Sequence, residues 1–244
     1  MGAETMRRNV ERTVRAAPRA VVIALALVVV AAGCGDSTEK TTPTTTTTTA
    51  VGSTTTTAGP GRQPAVWPPD AGSVSYDDPV AAATAFATEF VGFTDPVVSE
   101  FQGGDSKSGE VEVRAKAGGP VTTVFLRQIG TDTTWSVIGA ATDNIQLSEP
   151  ALFAKIATPV QLRGMSTAFE GTVQVAVRDR SGGSPLGEGF VTGGSQGTLG
   201  PFDSTLAFST PATTEGAIVL YTVSAEDGRV SEAAVLSIGF SSGG

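Results

Sequence analysis

The stretch STEKTTPTTTTTTAVGSTTTTAGPGRQP, residues 37–64, fixes the organisation of everything around it. Threonine, proline and glycine supply almost no apolar surface. The segment therefore cannot offset the ~1–2 kcal/mol of backbone entropy that ordering each residue costs. It is expected to stay extended and solvated, within a tether that spans residues 34–73. A flexible coil of roughly 35 residues reaches on the order of 30 Å on average. Clustered threonine with nearby proline also suits O-glycosylation. A core must come from the C-terminal side of this tether, where residues 74–240 suffice for two small domains or one large sandwich.

Composition removes whole classes of chemistry. The chain has no histidine, which excludes a Ser-His-Asp triad, a Cys-His pair, His-ligated zinc and imidazole acid–base catalysis. Its single cysteine excludes an intramolecular disulfide and any CxxC metal or redox motif. A formal charge of −8 argues against nucleic acid, whose phosphates require a basic surface. No carboxylate pair stands out at the fixed separation that glycoside hydrolysis needs. The chain is expected to be non-enzymatic and to carry no metal and no cofactor.

Residues 1–33 read as an export signal. Arg7, Arg8, Arg12, Arg15 and Arg19 form a basic leader ahead of a run of 13 apolar residues, AVVIALALVVVAA. At about 1.5 Å per residue this run covers roughly 20 Å, short of a ~30 Å hydrocarbon core. It ends in Ala31-Ala32-Gly33-Cys34, two small residues and then the sole cysteine. This resembles the lipobox of bacterial lipoproteins, with Ala31 standing where a branched apolar residue is usual. The resemblance implies cleavage before Cys34, diacylation of its thiol, and a lipid anchor at the extracytoplasmic face of the cell membrane. Two acyl chains at ~0.8 kcal/mol per buried CH₂ anchor stably where one does so only marginally. Cleavage also removes five arginines against Glu4 and Glu11, so the remaining body is more acidic still. An anionic leaflet repels such a body, and the lipid alone must hold it.

Residues 74–150 read as a small α+β domain. Asp77-Asp78-Pro79 is a helix start, with a capping carboxylate, acidic charge at the positive dipole end and proline at the first helical position. Val80, Ala83, Phe86, Phe90 and Phe93 then fall near one face, as a core stripe. Alternating runs at 110–116, 121–129 and 134–141 come next, the last carrying Trp135 and Val137. A helix on a three-stranded antiparallel sheet is the expected solution. Its architecture resembles the half-cone of cystatin-like and nuclear-transport-factor-like domains. Half-cones sometimes open a cavity between helix and sheet, which leaves a lipid or small-ligand carrier as a rival function.

Residues 153–240 contain strands and turns without a helix. Val173, Val175 and Val177 alternate with polar neighbours. Further strands are expected at 161–166, 186–192, 202–208, 217–224 and 230–238, with Glu226-Asp227-Gly228 as a hairpin turn. This spacing indicates an all-β immunoglobulin-like sandwich. The run Gly164-Met165-Ser166-Thr167-Ala168-Phe169-Glu170-Gly171-Thr172-Val173 resembles the signature G-x-A-x-x-F-E-x-x-V of the bacterial spore-germination immunoglobulin-like domain, with Ser166 in place of alanine. Leu186-Gly187-Glu188-Gly189-Phe190 and Gly200-Pro201-Phe202 continue the likeness. The resemblance implies a module common in secreted lipoproteins, with no catalytic activity.

Phe169-Glu170 is the most distinctive pair. Phe169 is expected to fill the core where a strand begins. Glu170 either caps a loop, pairs with Arg163 or Arg178, or faces a ligand. The run from Gly193 to Gly200 lacks the lysine and helix of a phosphate loop and reads as a connection. Asp179, Asp203, Glu226 and Asp227 read as solvated turn residues, since no spacing among them suits calcium. The function expected is a non-enzymatic, lipid-anchored envelope protein. Its immunoglobulin-like module would bind an envelope protein or cell-wall glycan, with a carrier or a purely structural spacer as rivals.

Overall fold

In the computed structural model, which describes residues 65–70, 74–131 and 133–241, Asp78 opens the helical segment. Its carboxylate accepts from the backbone N–H groups of Val80 (3.1 Å) and Ala81 (3.3 Å), ahead of α1 (Pro79–Ala85). The helix then widens into a π-helical turn, Phe86–Val91, ended by Gly92 at φ 99°. Thr84 and Thr88 donate their hydroxyls back to the carbonyls of Val80 and Thr84, which competes with tight α pairing. Phe86 and Phe90 stack at 5.4 Å on the buried face. The leader and most of the tether, Cys34 included, lie outside the described residues.

The chain continues into β1 (Val97–Val98) and β2 (Gln102–Gly103), short edges paired with β3 (Ser108–Arg114). β3, β4 (Thr122–Gln128) and β5 (Trp135–Ala141) form an antiparallel meander beneath the helix. After β6 (Ile145–Glu149) and β7 (Lys155–Ile156) come β8 (Val160–Ala168), β9 (Thr172–Asp179) and β10 (Gly187–Thr192). The last four are β11 (Gly194–Ser195), β12 (Gly200–Leu206), β13 (Glu215–Val223) and β14 (Val230–Phe240). The fold is mostly antiparallel β with one short helix among the described residues.

The N-terminal meander and the sandwich share one sheet. One ten-stranded sheet runs β1-β3-β4-β5-β14-β13-β9-β10, with β2 added on β3 and β7 on β14, so the N-terminal meander is hydrogen-bonded to the sandwich through β5 and β14. At this seam Val235 lies opposite Ala140, and the Ser237 hydroxyl donates to the Ile138 carbonyl at 2.7 Å. A Cβ on Gly139 would sit 2.9 Å from the Val235 carbonyl oxygen, so the close approach requires glycine there. The second sheet is four-stranded, β11-β8-β12 with β6 on β8. β6 therefore belongs to the sandwich, although residues 145–149 fall before the boundary expected near 150.

Burial explains the merger. Val173, Val175, Val177, Ile218, Leu220 and Ile238 point into the sandwich core with Leu162 and Phe202. The alternate residues of the same strands, Ala176, Ala217, Val219, Ala233 and Val235, point the other way, into the core beneath the helix. β13 and β14 thus present apolar residues on both faces and β9 adds Ala176, and a face of that kind must be covered. The helical segment and Trp67 cover it: Trp67 lies 6.1 Å from the Phe90 ring and its backbone bridges Val137. Arg180, with only 7% of its side chain exposed, pins the same entering segment by pairing with Asp70 (2.9 Å) and Glu215 (3.3 Å). It also donates to the Pro68 carbonyl.

Candidate functional site

β14 reads VSEAAVLSIGF, and its one charged residue is buried. Glu232 is 4% exposed. A carboxylate taken out of water must be surrounded by donors, because an unpaired buried charge costs several kcal/mol. Four hydrogen bonds meet that need. The Thr142 hydroxyl donates to Oε2 at 2.6 Å, Asn144 Nδ2 to Oε2 at 3.0 Å and Oε1 at 3.2 Å, and the Thr222 hydroxyl to Oε1 at 3.4 Å. All three partners are neutral. Thr222 stands opposite Glu232 on β13, while Thr142 and Asn144 come from the β5–β6 turn.

This network lies against a cleft of about 590 Å³, walled from both sides of the seam. The β3–β4 hairpin contributes Ala115, Lys116 and Pro120, and the β13–β14 hairpin contributes residues 222–227 and 229–232. The end of β8 contributes Thr167, Ala168 and Phe169. Thr167 is 5% exposed. Its N–H donates to the Asn144 carbonyl, yet its hydroxyl oxygen is buried without a hydrogen-bond partner. Phe169 is the opposite case, with 69% of its surface exposed. At the rim Lys116 pairs with Glu226 at 3.2 Å and Arg229 with Asp227 at 3.7 Å. The Arg229 N–H and then the Ser224 hydroxyl hold the Asp227 carboxyl below its ordinary range.

The turn that carries Phe169 lies within the part of the chain that has a family match. It joins two facing sheets, and its Phe-Glu-Gly sequence ends in Gly171 at φ 75°, whose N–H closes onto the Ala168 carbonyl. Residues 144–229 match the model of the family described as the immunoglobulin-like domain of bacterial spore germination. The match starts at Asn144, within the Glu232 network, and stops at Arg229, while the sandwich itself continues through β14. No curated protein and no solved structure matches the chain.

Several sequence expectations need correction. Phe169 does not fill the core, which β8 supplies through Val160 and Leu162; the tight turn after β8 carries Phe169 outside both layers. Glu170 is exposed beside it and forms no ion pair among the described residues. Arg163 is occupied by Glu149 (2.8 Å) and Asp203 (2.9 Å), bridging β6, β8 and β12. Arg178 lies under the helix, its guanidinium carbon 5.6 Å from the Phe90 centroid, and burial lowers its pKa. Asp179 is not a solvated turn residue: it is 6% exposed and accepts from Ser181 and from the Ala212 N–H at 2.7 Å. Asp203, Glu226 and Asp227 are exposed, as expected.

Among the described residues no group of three acidic or cysteine side chains is placed to hold a metal ion, and no helix is long and apolar enough to cross a membrane. Asn144, Thr222 and Glu232, which line the cleft, and Thr142, which supports Glu232 from behind, went unremarked in the sequence. One signal was present: a glutamate, the single charged residue of a mostly apolar 11-residue strand.

Proposed function

We propose that the protein is a non-enzymatic, lipid-anchored component of the cell envelope, held at the extracytoplasmic face through Cys34. Its immunoglobulin-like module binds a protein or cell-wall partner at the seam cleft. The observation that carries this reading is Phe169, an aromatic ring left 69% exposed at the mouth of a cleft whose wall buries an unpartnered Thr167 hydroxyl. Exposed aromatic surface next to convergent polar groups is the usual makeup of a binding site. The anchor rests on the sequence Ala31-Ala32-Gly33-Cys34.

The packing beneath the helix counts against the carrier. Phe86, Phe90, Val111, Val124, Leu126 and Val137 fill that space, all buried. The test is capture from envelope extract with the detergent-solubilised full chain and with Phe169→Ala. Capture that depends on Phe169 supports the reading. Equal capture by the two proteins moves the binding surface elsewhere.

A further inference from the structure

Resting on that reading of the cleft, we infer that its ligand is an uncharged glycan, stacked on the Phe169 ring and hydrogen-bonded to the Thr167 hydroxyl. Three observations converge on it. The first is charge. Lys116 and Arg229 stand at the rim beside Glu226 and Asp227, and with Glu232 the lining sets three carboxylates against two cations. Phosphorylated, nucleotide and strongly acidic ligands meet no net positive charge there.

The second is the polar inventory. Asn144 turns its amide N–H groups to Glu232, its Oδ1 can only accept, and the buried, unpartnered Thr167 hydroxyl can both donate and accept. A sugar hydroxyl has the same dual character and complements both atoms. An unpartnered buried hydroxyl costs about 1–3 kcal/mol, a penalty that a ligand removes on binding.

The third is shape. A concave site of about 590 Å³ lies within the ~300–1,000 Å³ typical of small-ligand clefts, whereas a protein partner covers about 800 Å² of its counterpart. One exposed ring beside such a site presents a flat apolar face of the kind that the C–H face of a sugar ring covers.

The experiment is calorimetric titration of the detergent-solubilised full chain with chitotetraose and, separately, maltotetraose. Saturable binding of at least one is expected. Phe169→Ala, at an exposed position that leaves the melting transition in place, should weaken it about tenfold. Thr167→Val should weaken it about fivefold, and Thr167→Ser should restore it. Binding that is unchanged in Phe169→Ala overturns the inference. So does failure of both oligosaccharides to bind. If both fail while Phe169-dependent capture of an envelope protein persists, the glycan is overturned and the cleft remains the partner site.

Discussion

Thr142 Oγ1 lies 2.6 Å from Glu232 Oε2, although 90 residues separate them in the chain. The bond ties the turn that leads out of the N-terminal meander to the strand that closes the sandwich. Replacing Glu232 by alanine strips Thr142, Asn144 and Thr222 of one shared acceptor. Glu232→Ala should lower stability by roughly 2–4 kcal/mol and Glu232→Gln by about half as much, since the amide keeps the volume and one oxygen. Urea denaturation of the full chain measures both.

Val175 is 2% exposed and faces the sandwich core from a strand buried on both sides. Val175→Asp places an unpaired carboxylate there, at a cost of several kcal/mol. The cooperative melt should disappear, and loss of near-ultraviolet circular dichroism reads it. Because the sheet is continuous, the helix-covered half should melt with the sandwich.

Asp179 carries a pH signature. Burial alone would raise its pKa, but hydrogen bonds from Ser181, Ala212 and Thr213 outweigh burial and lower it below the ordinary carboxylate value. A depressed pKa contributes stability that is present above the unfolded value of about 3.9 and is lost as pH falls through the folded one. Asp179→Asn should therefore cost about 1–2 kcal/mol at pH 7, and the gap from wild type should narrow as pH falls below the ordinary carboxylate value of about 3.9. Melting temperatures measured across that range give the result.

Arg180→Met removes the cation that Asp70 and Glu215 share and the donor to the Pro68 carbonyl. The variant should lose about 2–3 kcal/mol. Its hydrogen exchange should quicken at Val66 and Trp67, whose N–H groups bond the Val137 carbonyl, before it quickens in β13.

Cys34→Ser should block diacylation and leave unprocessed precursor. Mass spectrometry of the mature N-terminus distinguishes a diacylglyceryl cysteine from an unmodified end.

Periodicity made much of this architecture legible. The Asp78 cap, the phenylalanine stripe and the alternation of Val173, Val175 and Val177 are local signals, and each is found where spacing places it. What spacing could not reveal was partnership. Ala217-Ile218-Val219-Leu220 and Ala233-Ala234-Val235 are continuous apolar runs, which say that both faces are covered but not by what. The cleft was hidden for a related reason. Thr142, Asn144, Thr222 and Glu232 are unremarkable where they stand in the chain, and only strand pairing brings them within hydrogen-bond reach. Phe169 was misplaced because an aromatic beside a strand usually turns inward, and the turn closed by Gly171 overrides that tendency.

The shared sheet also limits how this protein can be rearranged over evolutionary time. A gene fragment encoding residues 144–229 would lack β14 and carry Ala176, Ala217 and Val219 outward on β9 and β13 with no helix to cover them. Transplanted into another host, it would arrive with a sticky back and an open edge. Each half therefore lends the other a cover that it does not carry by itself, and cutting the chain between β5 and β14 would leave both with bare apolar surface.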